Sequence, residues 1–200
     1  MFNAERLWRD RFGEFLKETS RYLRYIFNGH LVIVLLFLLG TAGYYYQEWI
    51  KQLEPGFPAA VIMAVLLAFV LTYSPILTLL VEPDKMFYLP LETRMDTYFK
   101  RAGIFSYVLQ SYLLLILLAV LMPLYVGVTG DSYRIFLLFL ITLVVLKGLN
   151  LLIRWKVQFF IEKSTQRMDS VVRFFINVVT LYLLFSKASF IFIVIPALLL

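Results

Sequence analysis

The sequence predicts an all-α, polytopic helical membrane protein: an amphipathic helix, then about five to six transmembrane helices. Three observations predict it. The 200 residues are 62% apolar, well above the roughly 45–50% of soluble domains even when glycine is counted in place of tyrosine. A chain this short could not hide so much apolar surface in water, because its surface-to-volume ratio is too high. The apolar residues also fall into runs near the ~20 residues that cross a hydrocarbon core. Finally, lysine and arginine crowd every second segment between those runs.

The first segment, residues 1–29, holds a helix with two faces. Trp8, Phe12, Phe15, Tyr22 and Ile26 recur at helical spacing, while Arg9, Glu14, Lys17, Arg21 and Arg24 fall mostly elsewhere. Such a helix suits an elbow lying in the membrane interface, its basic residues near anionic headgroups. Packing against other inner loops is the alternative. Residues 30–200 form the transmembrane domain. Its runs are Leu31 to Tyr46, Phe57 to Leu80, Ile104 to Val128, Ile135 to Ile153, and Val171 to Phe185, short and entered by Arg173. Ser189 to Leu200 is too short to span, and with no polar cap after it the chain reads as the front part of a longer protein. Pro75 and Pro123 are expected to kink the second and third spans, since proline removes a helical N–H.

Orientation follows from charge. Fifteen of the nineteen basic residues lie before spans one, three and five, against Lys51, Arg134 and Lys187 in the alternate loops. This bias places the N-terminus in the cytoplasm. Tyr44, Tyr45, Tyr46 and Trp49 at one end and Trp155 at the other suit the headgroup level. The outer loops are very short. The inner ones, at about 81–103 and 154–173, carry the charge, so partners are expected on the cytoplasmic side.

Most chemistry is excluded. With no cysteine and a single histidine, thiol-bound metals, disulfides and H-E-x-x-H sites cannot form. No phosphate loop occurs, and we assign no catalytic residue, metal or cofactor; nucleic acid is excluded because the basic residues border apolar runs. No pair of carboxylates lies within a span, which argues against an acidic proton relay. Lys147 is the one charge inside a span. Either its stem snorkels to the inner headgroups, or it lines a transport path with Asn150, one turn away.

The loop VEPDKMFYLPLETRMDTYFKRAG, Val81 to Gly103, is the most informative segment. Pro83 and Pro90 discourage a helix running on from span two. From Glu92 to Arg101 the pattern becomes charged and helix-compatible, suiting a short membrane-parallel helix that docks a cytoplasmic partner. Met86, Phe87, Tyr88 and Leu89 need something to pack on.

The basic leader RFGEFLKETSRYLRYIFNGHLVIVLLFLLG, the belt YYYQEW and the loop PDKMFYLPLETRMDTYFKRAG together resemble the N-terminal half of the EcsB family. The resemblance implies a permease subunit of a bacterial ABC transporter in the cell membrane. Its implied partners are a separate EcsA-like ATPase that binds the ATP, and a second permease copy. It implies export of short hydrophobic peptides and a functional link to a site-2-type intramembrane protease. By loop position and charge, Glu92, Arg94, Asp96, Tyr98, Lys100 and Arg101 become the expected ATPase-coupling segment. A membrane scaffold or regulator of a protease or secretion factor, without transport, is the alternative.

Overall fold

The structure, a computed structural model, describes residues 3–54, 56–160 and 162–189. The described regular structure is entirely helical: α1 (Ala4–Ile26), α2 (Gly29–Lys51), α3 (Ala59–Thr72), α4 (Glu82–Phe87), a 3-10 turn (Leu89–Arg94), α5 (Asp96–Thr129), α6 (Ile135–Val157) and α7 (Lys163–Phe185). Four of these, α2, α5, α6 and α7, are long and apolar enough to cross a membrane. The chain divides into two compact units, Met1–Glu48 with Leu77–Phe105, and Trp49–Ile76 with Ser106–Leu200.

In the first unit, Asn3 caps α1 by accepting from the N–H groups of Glu5 and Arg6 at 3.0 and 3.1 Å. The front half of α1 is packed. Trp8, 7% exposed, joins Met95, Tyr98 and Ala102 in a small apolar cluster, with ring centroids 5.3 Å from Tyr98 and 5.8 Å from Phe12. The rear half is not, and Tyr22, Leu23 and Ile26 stay exposed. Up to Glu48, α2 is exposed nearly all round, as a helix solvated by lipid must be.

The second unit is built on an apolar core. Met63, Leu67 and Leu71 of α3 meet Leu114, Leu118 and Tyr125 of α5, Phe139 and Leu143 of α6, and Leu181 and Phe185 of α7. Tyr125, Phe139 and Phe185 form an aromatic trio, and the Tyr125 hydroxyl donates to the Phe185 carbonyl at 2.9 Å. That bond caps the last turn of α7.

Three expectations need correction. Phe57 to Leu80 is not one span: α3 has 14 residues, about 21 Å of helix, and Tyr73 to Val81 has no regular structure. Pro75 therefore lies beyond α3 and stops it, because proline cannot donate and keeps Ser74 out of the helical region; it is not a kink. Pro123, by contrast, does sit inside α5. Second, no separate helix spans Glu92 to Arg101. The 3-10 turn ends at Arg94 and Asp96 opens α5, a carboxylate in the first turn as the helix dipole favours. Third, Lys147 does not snorkel; it is fully buried. The run from Ser189 lies outside the described residues apart from Ser189 itself.

Candidate functional site

The break after α3 creates the site. A helix ending in an apolar interior leaves its last carbonyls without partners, and each one unpaired there is costly. The Tyr73 N–H still reaches Phe69 O at 3.0 Å, and beyond it the chain turns extended, with Tyr73 at φ −72° and ψ 95°. Lys147, on α6, fills the gap. Its Nζ lies 2.8, 3.2 and 2.9 Å from the carbonyl oxygens of Val70, Leu71 and Tyr73, and 3.0 Å from Ser74 Oγ. Four acceptors around one nitrogen suit an ammonium, which donates three bonds and accepts none. The cation also sits at the end of α3 where the helix dipole is negative. The depth agrees: Thr72 is 13 residues from the start of α3 and Lys147 is 12 from the start of α6. Gln110 adds one more donor, from Nε2 to the Pro75 carbonyl at 2.6 Å.

One turn along α6, Asn150 faces a different partner. Asn150 and Asn177 of α7 exchange two amide bonds at 3.1 and 3.0 Å, and Asn177 also donates to Thr72 Oγ1 at 2.9 Å. Arg173, 3% exposed, holds Asp169 through Nε at 2.8 Å and Nη2 at 2.7 Å. Its Nη1 reaches toward Asn150 Oδ1 at 3.4 Å. The result is a buried polar seam whose acceptors are mostly backbone carbonyls and amides. Lys147 and Asn150 are thus brought into one seam.

Sequence reasoning missed Asn177 and Ser74. Asn177 had a usable signal, because it lies four residues after Arg173 and so shares its helical face. Ser74 had only its place before Pro75.

The first unit holds the second candidate surface. Asp84 accepts from Arg11 Nη2 at 2.6 Å and from the Val81 N–H at 3.3 Å, fixing the start of α4. Asp84, and after it Glu14, raise the Arg11 pKa above its ordinary value, so the guanidinium stays charged. Leu79 has a positive φ of 57°, and the Tyr98 hydroxyl holds the preceding Thr78 carbonyl at 2.5 Å. Behind this bracing, Met86, Phe87 and Leu89 are 82, 78 and 69% exposed. Of the expected coupling residues, Glu92, Arg94, Asp96 and Lys100 are exposed. Tyr98 is buried, and Arg101 pairs with Glu5 at 2.6 Å.

The family model for "Bacterial ABC transporter protein EcsB" matches residues 5–200. The chain belongs to the EcsB family. It is similar to Protein EcsB of Bacillus subtilis (strain 168), 42% identical over 188 residues, which are 94% of this chain and 46% of that protein. The chain thus spans about half the length of the EcsB protein it matches. No solved structure matches it. The four apolar helices are long enough to cross a membrane, as suits a multi-pass membrane protein of this family.

Proposed function

We propose that the chain acts in a permease subunit that exports short hydrophobic peptides, driven by a separate EcsA-like ATPase docked on its cytoplasmic side. The N-terminus faces the cytoplasm in this reading, two permease copies pair with two ATPases, and protease activity is affected through transport. The observation that carries it is the braced knuckle of α4 and the 3-10 turn, which presents Met86, Phe87 and Leu89 in front of Glu92 and Arg94. An apolar tip of this kind, exposed on the charged side of a membrane protein, fits a partner's groove. Tyr98 belongs to the apolar cluster on which Tyr88 packs, Arg101 ties the start of α5 to Glu5 of α1, and Asp96 and Lys100 are exposed at the start of α5. The broken α3, with Lys147 and Asn150 at its end, supports transport, since irregular backbone at membrane depth is tolerated where protein buries it or where it lines a path.

The test is co-purification of the tagged full-length protein from native membranes, with ATP hydrolysis assayed on the complex. Wild type should bring a phosphate-loop ATPase in stoichiometric amount. Phe87→Asp and Arg94→Glu should lose both the ATPase and its stimulated turnover while inserting normally. An unchanged complex with these variants would remove the knuckle from the interface. A protease or secretion factor in place of any ATPase would favour the scaffold.

A further inference from the structure

Beside the broken end of α3, the second unit opens a cavity of about 560 Å³. Phe69, Tyr73, Pro75, Phe174 and Phe175 wall it, and Arg154 and Arg173 line it with charge. The charges around it do not balance. Of the residues that line it, Arg154 and Arg173 are charged and none is acidic; Asp169 gives both of its described bonds to Arg173 through one oxygen, and Glu162, where α7 begins, is exposed and accepts from Thr165 Oγ1. Lys147 is held by carbonyls and a hydroxyl. Arg154 is half-buried and has no carboxylate partner among the described residues. A positive charge with apolar walls on one side keeps a longer reach than one in water, because the effective dielectric is lower. The site is short of an anion.

The walls say what kind. Phe69, Tyr73 and Phe175 are 68, 70 and 61% exposed, so an apolar chain would lie along rings that a small soluble anion leaves bare. Arg154 is three residues from the end of α6, where a crossing helix reaches the headgroups, and basic pockets between helices at that level take lipid head groups. We propose that this cavity binds an anionic glycerophospholipid, its phosphodiester on Arg154 and one acyl chain along Phe69, Tyr73 and Phe175. The lipid would supply the missing negative charge next to the α3 break. The inference does not depend on peptide export.

The test uses the full chain in phosphatidylcholine nanodiscs doped with phosphatidylglycerol, with bound lipids counted by native mass spectrometry. Wild type should retain one phosphatidylglycerol at activation energies that strip phosphatidylcholine. Arg154→Gln should weaken that retention about five-fold, the effect of one basic residue at a headgroup, and Arg154→Lys should recover most of it. Val171→Trp, on the exposed edge of the cavity, should lower retention with every charge in place, so loss does not hinge on one variant's folding. Lys156→Gln, exposed and outside the cavity, should change nothing. Equal retention of both lipids would overturn the proposal, as would an unchanged Arg154→Gln or an equal loss with Lys156→Gln. Retention of a hydrophobic peptide acid in place of the lipid would also overturn it and give the cavity to a substrate.

Discussion

Each unit has to pin an irregular stretch of chain, and the two do it with opposite chemistry. In the first, Arg11 crosses 73 positions of sequence to reach Asp84, a cation on a carboxylate at the rim of a small aromatic cluster. In the second, Lys147 meets no acid; its partners are the carbonyls left over where α3 stops, with the Ser74 hydroxyl. The difference follows from solvent. An ion pair buried in apolar surroundings must desolvate two charges, and the attraction barely repays that. A helix end already carries unsatisfied negative partial charge, so one ammonium settles it and only one ion leaves water. Where water is near, Arg11 with 23% of its side chain exposed can afford a full partner charge.

The sharpest way to break this comparison is Lys147→Met, which keeps the length of the side chain and removes the donors. Carbonyls of Val70, Leu71 and Tyr73 would be left unpaired, at a cost of about 3 kcal/mol. Thermal unfolding in detergent should show that loss, and amide exchange should rise around residues 70–76. A melting temperature within error of wild type would mean that Lys147 does not hold the break and would return it to the transport path alone.

A double-mutant cycle on Arg11→Met and Asp84→Asn examines the other side. We expect a coupling of about 1–2 kcal/mol, since the carboxylate is 7% exposed and the bond is charge-assisted. It should shrink with added salt, because the guanidinium is partly in water. Lys147 should show no such salt dependence. Equal salt sensitivity at both sites would erase the distinction between them.

How much of this was legible beforehand depends on the range of the interaction. The membrane class, the amphipathic leader and the places of α2, α5, α6 and α7 follow from composition and from helical spacing, which are local. The failure at Pro75 is also local, but its sign was hidden. A proline in an apolar run kinks a helix if neighbours satisfy the freed carbonyls within it, and ends it if a cation does so from elsewhere. That cation was Lys147, 72 residues beyond. Single-sequence reading of Lys147 considered headgroups and a path, and had no means to pair it with α3. The partners of Tyr98 and Arg101, Thr78 and Glu5, were hidden for the same reason, since folding sets them.

Close helix packing is the second unit's main resource, and Gly127 gauges it. A methyl group there would run into the side chain of Ile50, itself 7% exposed. Gly127→Ala gains up to about 1 kcal/mol of helix propensity and loses about 1–3 kcal/mol to overpacking. A net loss of about 1 kcal/mol should appear as a lower melting temperature. Gly148→Ala is the control, because its methyl meets Tyr107 at an ordinary 3.6 Å; it should be neutral or slightly stabilising. If both behave alike, contact at Gly127 is not tight.

The smallest effect belongs to the second unit's exposed pair, Lys187 on Asp131, which brings the first unit's chemistry to the end of the other. The Lys187 ammonium holds the Asp131 carboxyl below its ordinary 3.8. A carboxyl whose folded value is depressed binds its proton more readily when unfolded, so it stabilises the fold above the ordinary value. That contribution is complete at neutral pH and fades as the pH falls below 3.8 toward the lowered value. Melting curves of wild type and Asp131→Asn should therefore differ at neutral pH and converge in acid. Lys187 is 58% exposed, so salt should narrow the gap as well. A gap that persisted at low pH would assign the effect of Asp131 to shape and hydrogen bonding, and leave Arg11 and Asp84 as the chain's one tested charge pair.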